Sequence, residues 1–133
     1  MKLLPHSISI LPTSALLFLL GAVGYPLIEL LWRGRTHWTM SLAGGLAMVL
    51  LLQISRTALP LPLMWVAGAL AITAVELAIG YVVNVRLGWA VWDYSALPLN
   101  LMGQICLPFT AVWLLLSIPG IALCQYAELL MEL

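Results

Sequence analysis

Apolar residues dominate four long stretches of the chain, and short polar segments separate them. The stretches run from Ile8 to Trp32, Trp38 to Ser55, Leu61 to Val85 and Leu101 to Tyr126. A helix needs about 20 mostly apolar residues to cross ~30 Å of hydrocarbon. All four approach or exceed that length, and the second is the shortest. The first contains Leu16-Leu17-Phe18-Leu19-Leu20; the second carries Gly44-Gly45 before Met48–Leu52. Polar punctuation falls at Arg33-Gly34-Arg35-Thr36-His37, at Arg56 through Pro62, and from Arg86 through Asn100. A membrane β-barrel would alternate apolar and polar residues along each strand, and these stretches do not. The pattern predicts an all-α polytopic membrane protein, a four-transmembrane-helix bundle forming one domain over residues 1–133.

Composition makes lipid the solvent. Of 133 residues, 64% are hydrophobic and 8% charged, and the mean hydropathy is +1.12. Soluble domains lie nearer ~45–50% apolar and ~25% charged, and a chain this short has too little interior to hide the excess. The bilayer is therefore the first expected partner. Net charge is zero, with no basic run, so no nucleic-acid partner is expected. Cys106 and Cys124 stand about 27 Å apart if one helix holds both, too far for a disulfide. They read as small buried hydrophobes. The stretch after Met1-Lys2 continues to Trp32 and carries Pro26 and Glu29, so it reads as a retained span rather than a cleaved leader.

Four spans place the first and third connections on one face. Arg33, Arg35 and Arg86 lie there, against Lys2 and Arg56 on the other side. The positive-inside rule then puts both termini outside the cytoplasm. Trp32, Trp38, Trp89, Trp92 and Tyr94 flank the same two connections. They read as interfacial anchors at headgroup level, with a shaped aromatic site on that face as the other reading.

Few residues remain to carry chemistry. Glu29 precedes Arg33 by four positions, the spacing of a helical ion pair near the interface. Glu76 sits mid-span, ten residues before Arg86, where an isolated charge costs ~2.5–3.5 kcal/mol on insertion scales. Thr73, Glu76, Gly80 and Asn84 recur at helical spacing, and that face should turn inward because lipid offers no hydrogen-bond partner. Asp93 and Ser95 suit a fixed turn. Asn100 is placed to cap the fourth helix, with Gly103 and Gln104 following. Glu29, Glu76, Asn84, Asp93, Asn100 and Gln104 are thus the candidate transport or buried polar residues. Trp32, Arg33, Arg35, Trp38, Arg86, Trp89, Trp92 and Tyr94 are the interfacial set. Zinc, serine-elbow and phosphate-loop motifs are missing from the sequence. His6 and His37 lie outside the spans and lack a third ligand at zinc spacing. No enzyme activity, metal or cofactor is expected.

The segment Trp92-Asp93-Tyr94-Ser95, followed by Asn100-Leu101-Met102-Gly103-Gln104-Ile105-Cys106-Leu107, resembles the putative ABC-transporter type IV (CmpB-like) family. The resemblance extends from about Gly21 to Ser117; Glu29 and Glu76 are similar to that family's two intramembrane acids. It departs at Ser41–Gly45, where relatives often carry a Pro-Ile-Tyr-Gly segment, and at Gln104, where they commonly carry Arg. The resemblance implies a permease in a multi-pass, bacterial-type plasma-membrane setting. Since the chain has no nucleotide-binding motif, ATP hydrolysis would come from a separate subunit. A protomer this small implies a homo-oligomer or a larger complex.

Two functions fit these residues. In one, the chain is a transport component with Glu76 as a buried titratable site and with Glu29 and Asp93 shaping its entrance. In the other, it is a membrane scaffold or accessory subunit whose Glu76, Asn100 and Gln104 are interhelical hydrogen-bonding glue. The transported substrate is not legible in either.

Overall fold

A computed structural model describes residues 6–131, with side chains from residue 13 onward. Lys2, weighed in the charge pattern, and the His6 side chain lie outside the described residues. The architecture is all-helical. Helix α1 spans His6–Arg33, α2 Trp38–Ser55, α3 Leu61–Gly80 and α4 Leu107–Met131. Among the described residues, these four helices are long and apolar enough to cross a membrane.

Their outer faces confirm lipid as the solvent. Leu19, Val23, Leu27 and Leu31 follow one another at four-residue spacing along α1, and all are exposed, Leu31 at 91%. On a soluble protein such a stripe would be a large sticky patch. Inward-facing Leu17, Leu51, Leu52, Ile121 and Cys124 form one buried cluster, and Met40, Val83, Val91 and Trp92 form another. Both cysteines are free and buried.

The bundle is two hairpins. Helix α1 lies against α2 and α3 against α4, while α2 also packs on both α3 and α4. The first hairpin closes because two glycines meet. A Cβ added to Gly21 would fall 2.1 Å from the Gly44 carbonyl oxygen, and one on Gly44 would fall 2.2 Å from that of Gly21. Small residues let backbones approach this closely, which supplies packing that lipid cannot disfavour or replace.

Helix boundaries depart from the hydropathy pattern at the third connection. The α3 helix loosens into a single π-helical segment over Tyr81–Arg86, where the Leu87 N–H donates to Val82 O at 3.0 Å. A two-strand antiparallel ladder then pairs β1 (Asn100–Leu101) with β2 (Ile105–Cys106). The fourth helix therefore begins at Leu107 instead of Leu101, and Asn100 does not cap it. Residues 100–106 are apolar enough to extend a span, but Met102 and Gly103 adopt φ +56° and +72°. A helix cannot continue through left-handed residues.

Further on, Pro119 lies inside α4, where its missing N–H leaves one carbonyl of the preceding turn without its helical partner. Neighbouring helices make such positions tolerable in membranes.

Candidate functional site

A cavity of about 780 Å³ opens between the helices beneath the third connection. Its walls come from all four helices and from the loop that follows the π segment. On α1 the lining runs from Leu20 to Arg33, a length of about 20 Å at ~1.5 Å per residue. The far end is aliphatic, with Leu20, Leu51, Leu116 and Leu123. Nearer the loop it holds Tyr25, Trp32, Phe109 and Trp113 together with Glu29, Arg33, Arg35, Glu76 and Asp93.

Glu76 is buried on α3, and each carboxylate oxygen accepts one hydrogen bond. The Tyr94 hydroxyl donates to Oε2 at 2.6 Å, and the Trp113 indole N–H donates to Oε1 at 3.1 Å. Both donors are neutral. The acid is thus hydrogen-bonded but has no cationic partner of its own among the described residues. Each oxygen retains a further acceptor lone pair.

Aromatic rings hold those donors in place. Tyr94 stacks on Phe109 with centroids 4.7 Å apart and planes 7° from parallel. Trp113 meets Tyr25 edge-on at 5.9 Å, and Trp32 meets Phe109 edge-on at 6.1 Å. These offset and T-shaped arrangements are the favourable ones for ring quadrupoles. Burial pushes the Tyr94 phenol above its ordinary value, and the neighbouring Glu76 charge adds to that. The phenol therefore stays protonated and remains a donor.

Glu29 takes a different role. Arg33 Nη1 donates to its Oε2 at 2.9 Å, and the Thr36 hydroxyl donates to Oε1 at 2.7 Å. The same guanidinium reaches across with Nη2 to the Val91 carbonyl oxygen at 2.8 Å. Glu29 and Arg33 thus form a neutralised pair that ties the end of α1 to the third connection. His37 caps α2, its Nδ1 accepting from the Thr39 N–H at 3.3 Å.

The remaining polar candidates lock the loop. Asn84 donates to Gln104 Oε1 at 2.8 Å and accepts from the Val91 N–H at 2.7 Å. Gln104 Nε2 returns to Met102 O at 2.9 Å. Asn100 donates to Leu97 O and accepts from Gly103 N–H. Asp93 Oδ1 accepts from the Ser95 N–H at 2.9 Å, which holds this exposed carboxyl below the ordinary range. Tyr94 N–H donates to Gly103 O at 2.7 Å. Irregular backbone facing hydrocarbon needs its polar groups satisfied within the protein, and these bonds satisfy several of them.

The six candidate polar residues therefore split. Glu29, Glu76 and Asp93 line the cavity, whereas Asn84, Asn100 and Gln104 build the loop above it. Thr73 on the same face of α3 bonds Thr110 of α4 at 2.9 Å.

The interfacial residues divide as well. Trp38 and Trp89 are well exposed and meet edge-on at 6.1 Å; Trp32 is exposed as well, and Arg35 and Arg86 reach the surface. Trp92 is not an anchor: it is buried, and its indole N–H donates to Gln104 O at 3.0 Å. Tyr94 likewise turns inward to Glu76. Tyr25, Phe109, Trp113 and Thr36 complete the site without having been singled out from the sequence. Trp113 left a readable signal, since an indole far from either end of its span needs a buried acceptor.

The model of the family described as "Putative ABC-transporter type IV" matches residues 40–132, and the chain belongs to that family. The match takes in Glu76, the loop and α4, and leaves Glu29, Arg33 and the rest of α1 outside it. No curated protein and no solved structure matches the chain.

Proposed function

We propose that this membrane protein, a member of the family described as putative ABC-transporter type IV, is a permease-like component of a transport system. The cavity is its solute site and Glu76 the charge that recognises the solute. One observation carries the reading: a carboxylate with no cationic partner among the described residues faces a cavity large enough for a small organic molecule. Binding sites for such molecules commonly enclose about 300–1,000 Å³ with apolar walls and few polar groups. The chain's own residues supply binding and passage, not bond-making chemistry.

Protein in liposomes with a trapped pH dye tests the reading under an imposed potential. Wild-type protein should carry a pH-dependent flux that Glu76→Gln abolishes or makes insensitive to pH. Equal fluxes in the two proteins, or a wild-type flux no greater than that of empty liposomes, sink the transport role.

A scaffold role has one observation in its favour, since Tyr94 and Trp113 already occupy both oxygens of Glu76. On that reading Glu76→Gln keeps wild-type stability, because an amide still pairs, whereas Glu76→Leu melts at lower temperature in detergent. Both variants would leave any flux unchanged.

A further inference from the structure

We infer that the occupant of the cavity is a hydrophobic organic monocation of the quaternary ammonium or phosphonium class. The inference rests on the transport-site reading above and names its ligand.

Charge comes first. Glu29 is neutralised by Arg33 at 2.9 Å, and at the mouth Arg35 and Asp93 carry opposite signs. The charge left over in the interior is that of Glu76, which disfavours an anion. Cost decides the next step: an ionised acid in apolar surroundings needs a counter-charge. Within the bundle its partners are a phenol and an indole, so the acid is neutralised either by a proton or by a cation that arrives with the ligand.

The walls select the kind of cation. Tyr25, Trp32, Phe109 and Trp113 line the cavity, and their rings meet at wide angles, 72° between Tyr25 and Trp113 and 62° between Trp32 and Phe109. The negative face of a ring, not its positive edge, attracts a diffuse positive charge, and rings set at wide angles to one another expose faces in more than one direction. A metal ion would need several oxygen or nitrogen ligands, and no group of three His, Cys, Asp or Glu side chains that could hold one occurs among the described residues. A primary ammonium would need acceptors for three N–H groups; Glu76 has one free lone pair on each oxygen, and the walls around it offer rings. A fully substituted ammonium or phosphonium needs no hydrogen bonds, only proximity to Glu76 and apolar contact. The aliphatic end, with Leu20 and Leu123, takes its substituents.

Tetraphenylphosphonium and tetraphenylborate share a shape and differ in sign, which makes them the discriminating pair. Radiolabelled tetraphenylphosphonium should bind purified protein in an uncharged detergent saturably, with one site per chain. Tetraphenylborate should fail to displace it. Glu76→Gln should weaken binding at least tenfold while keeping the wild-type melting temperature. Phe109→Leu, which leaves the carboxylate untouched, should weaken it several-fold. Displacement by the borate at equal concentration would show a pocket that reads only hydrophobicity and would overturn the inference. Undiminished binding to Glu76→Gln would overturn it too. Absence of saturable binding alongside a Glu76-dependent flux would remove the ligand class and leave the transport role standing. Saturable, Glu76-dependent binding without flux would do the reverse.

Discussion

Removing one oxygen atom tests how the third connection is fastened to the bundle. Tyr94→Phe deletes the hydroxyl that donates to Glu76 at 2.6 Å and leaves the ring stacked on Phe109 at 4.7 Å. A distance this short is typical of an O–H donor facing a carboxylate. Bonds to charged groups contribute about 1.5–3 kcal/mol in water-soluble proteins. Inside membranes the measured mean is ~0.6 kcal/mol with a maximum near ~1.7, because the unfolded chain also finds partners. A net loss of about 1–2 kcal/mol is therefore expected. Titration with sodium dodecyl sulfate in mixed micelles, followed by tryptophan fluorescence, gives the unfolding free energies. Combining Tyr94→Phe with Glu76→Leu closes a double-mutant cycle. Once Glu76→Leu has removed the acceptor, the Tyr94 substitution should cost almost nothing, so the coupling should equal most of the single-mutant loss. A coupling under about 0.3 kcal/mol, within the usual error of additivity, would refute the claim that this bond fastens the loop.

Two glycine comparisons separate backbone collision from side-chain collision and crowding from strain. Gly44→Ala drives a Cβ to 2.2 Å from a backbone oxygen, whereas Gly45→Ala meets the rim of the Phe18 ring at 2.6 Å. A ring can turn aside and a helix backbone cannot, so Gly44→Ala should cost ~1–3 kcal/mol and clearly more than Gly45→Ala in the same titration. Equal costs would contradict the backbone contact. Gly34 and Gly103 share φ +72°, but only at Gly103 would a Cβ meet a neighbour, Asp93 Oδ1 at 2.8 Å. Gly34→Ala should lose ~1–2 kcal/mol from the left-handed strain alone, and Gly103→Ala should lose more. Matching losses would show that Asp93 yields freely.

The spans were legible because hydrocarbon thickness imposes a length on any helix that crosses it, and runs such as Leu61–Val85 meet it. The pairing of Glu29 with Arg33 was also legible, since four residues is one helical turn. The hairpin at 100–106 was not. Its residues are apolar, and only the left-handed backbone at Leu99, Met102 and Gly103 distinguishes it from the start of a helix. Hydropathy is blind to a dihedral angle. The inward turn of Trp92 and Tyr94 was missed for a related reason. An aromatic residue beside a span is an anchor or a buried donor according to where its N–H or O–H finds an acceptor. Those acceptors, Gln104 O and Glu76, lie 12 and 18 residues away along the chain. The cavity itself leaves no local trace in the sequence, because its walls combine single residues from all four helices.

The two-hairpin arrangement has a mechanical consequence. Backbone contact at Gly21 and Gly44 binds α1 and α2 into one stiff leaf, while α1 reaches α4 mainly by outstretched rings. The Arg33–Val91 bond ties the end of α1 to the third connection beside those rings. Loss of that bond would leave ring contacts, Tyr25 on Trp113 and Trp32 on Phe109, to hold the cavity side of α1 against α4.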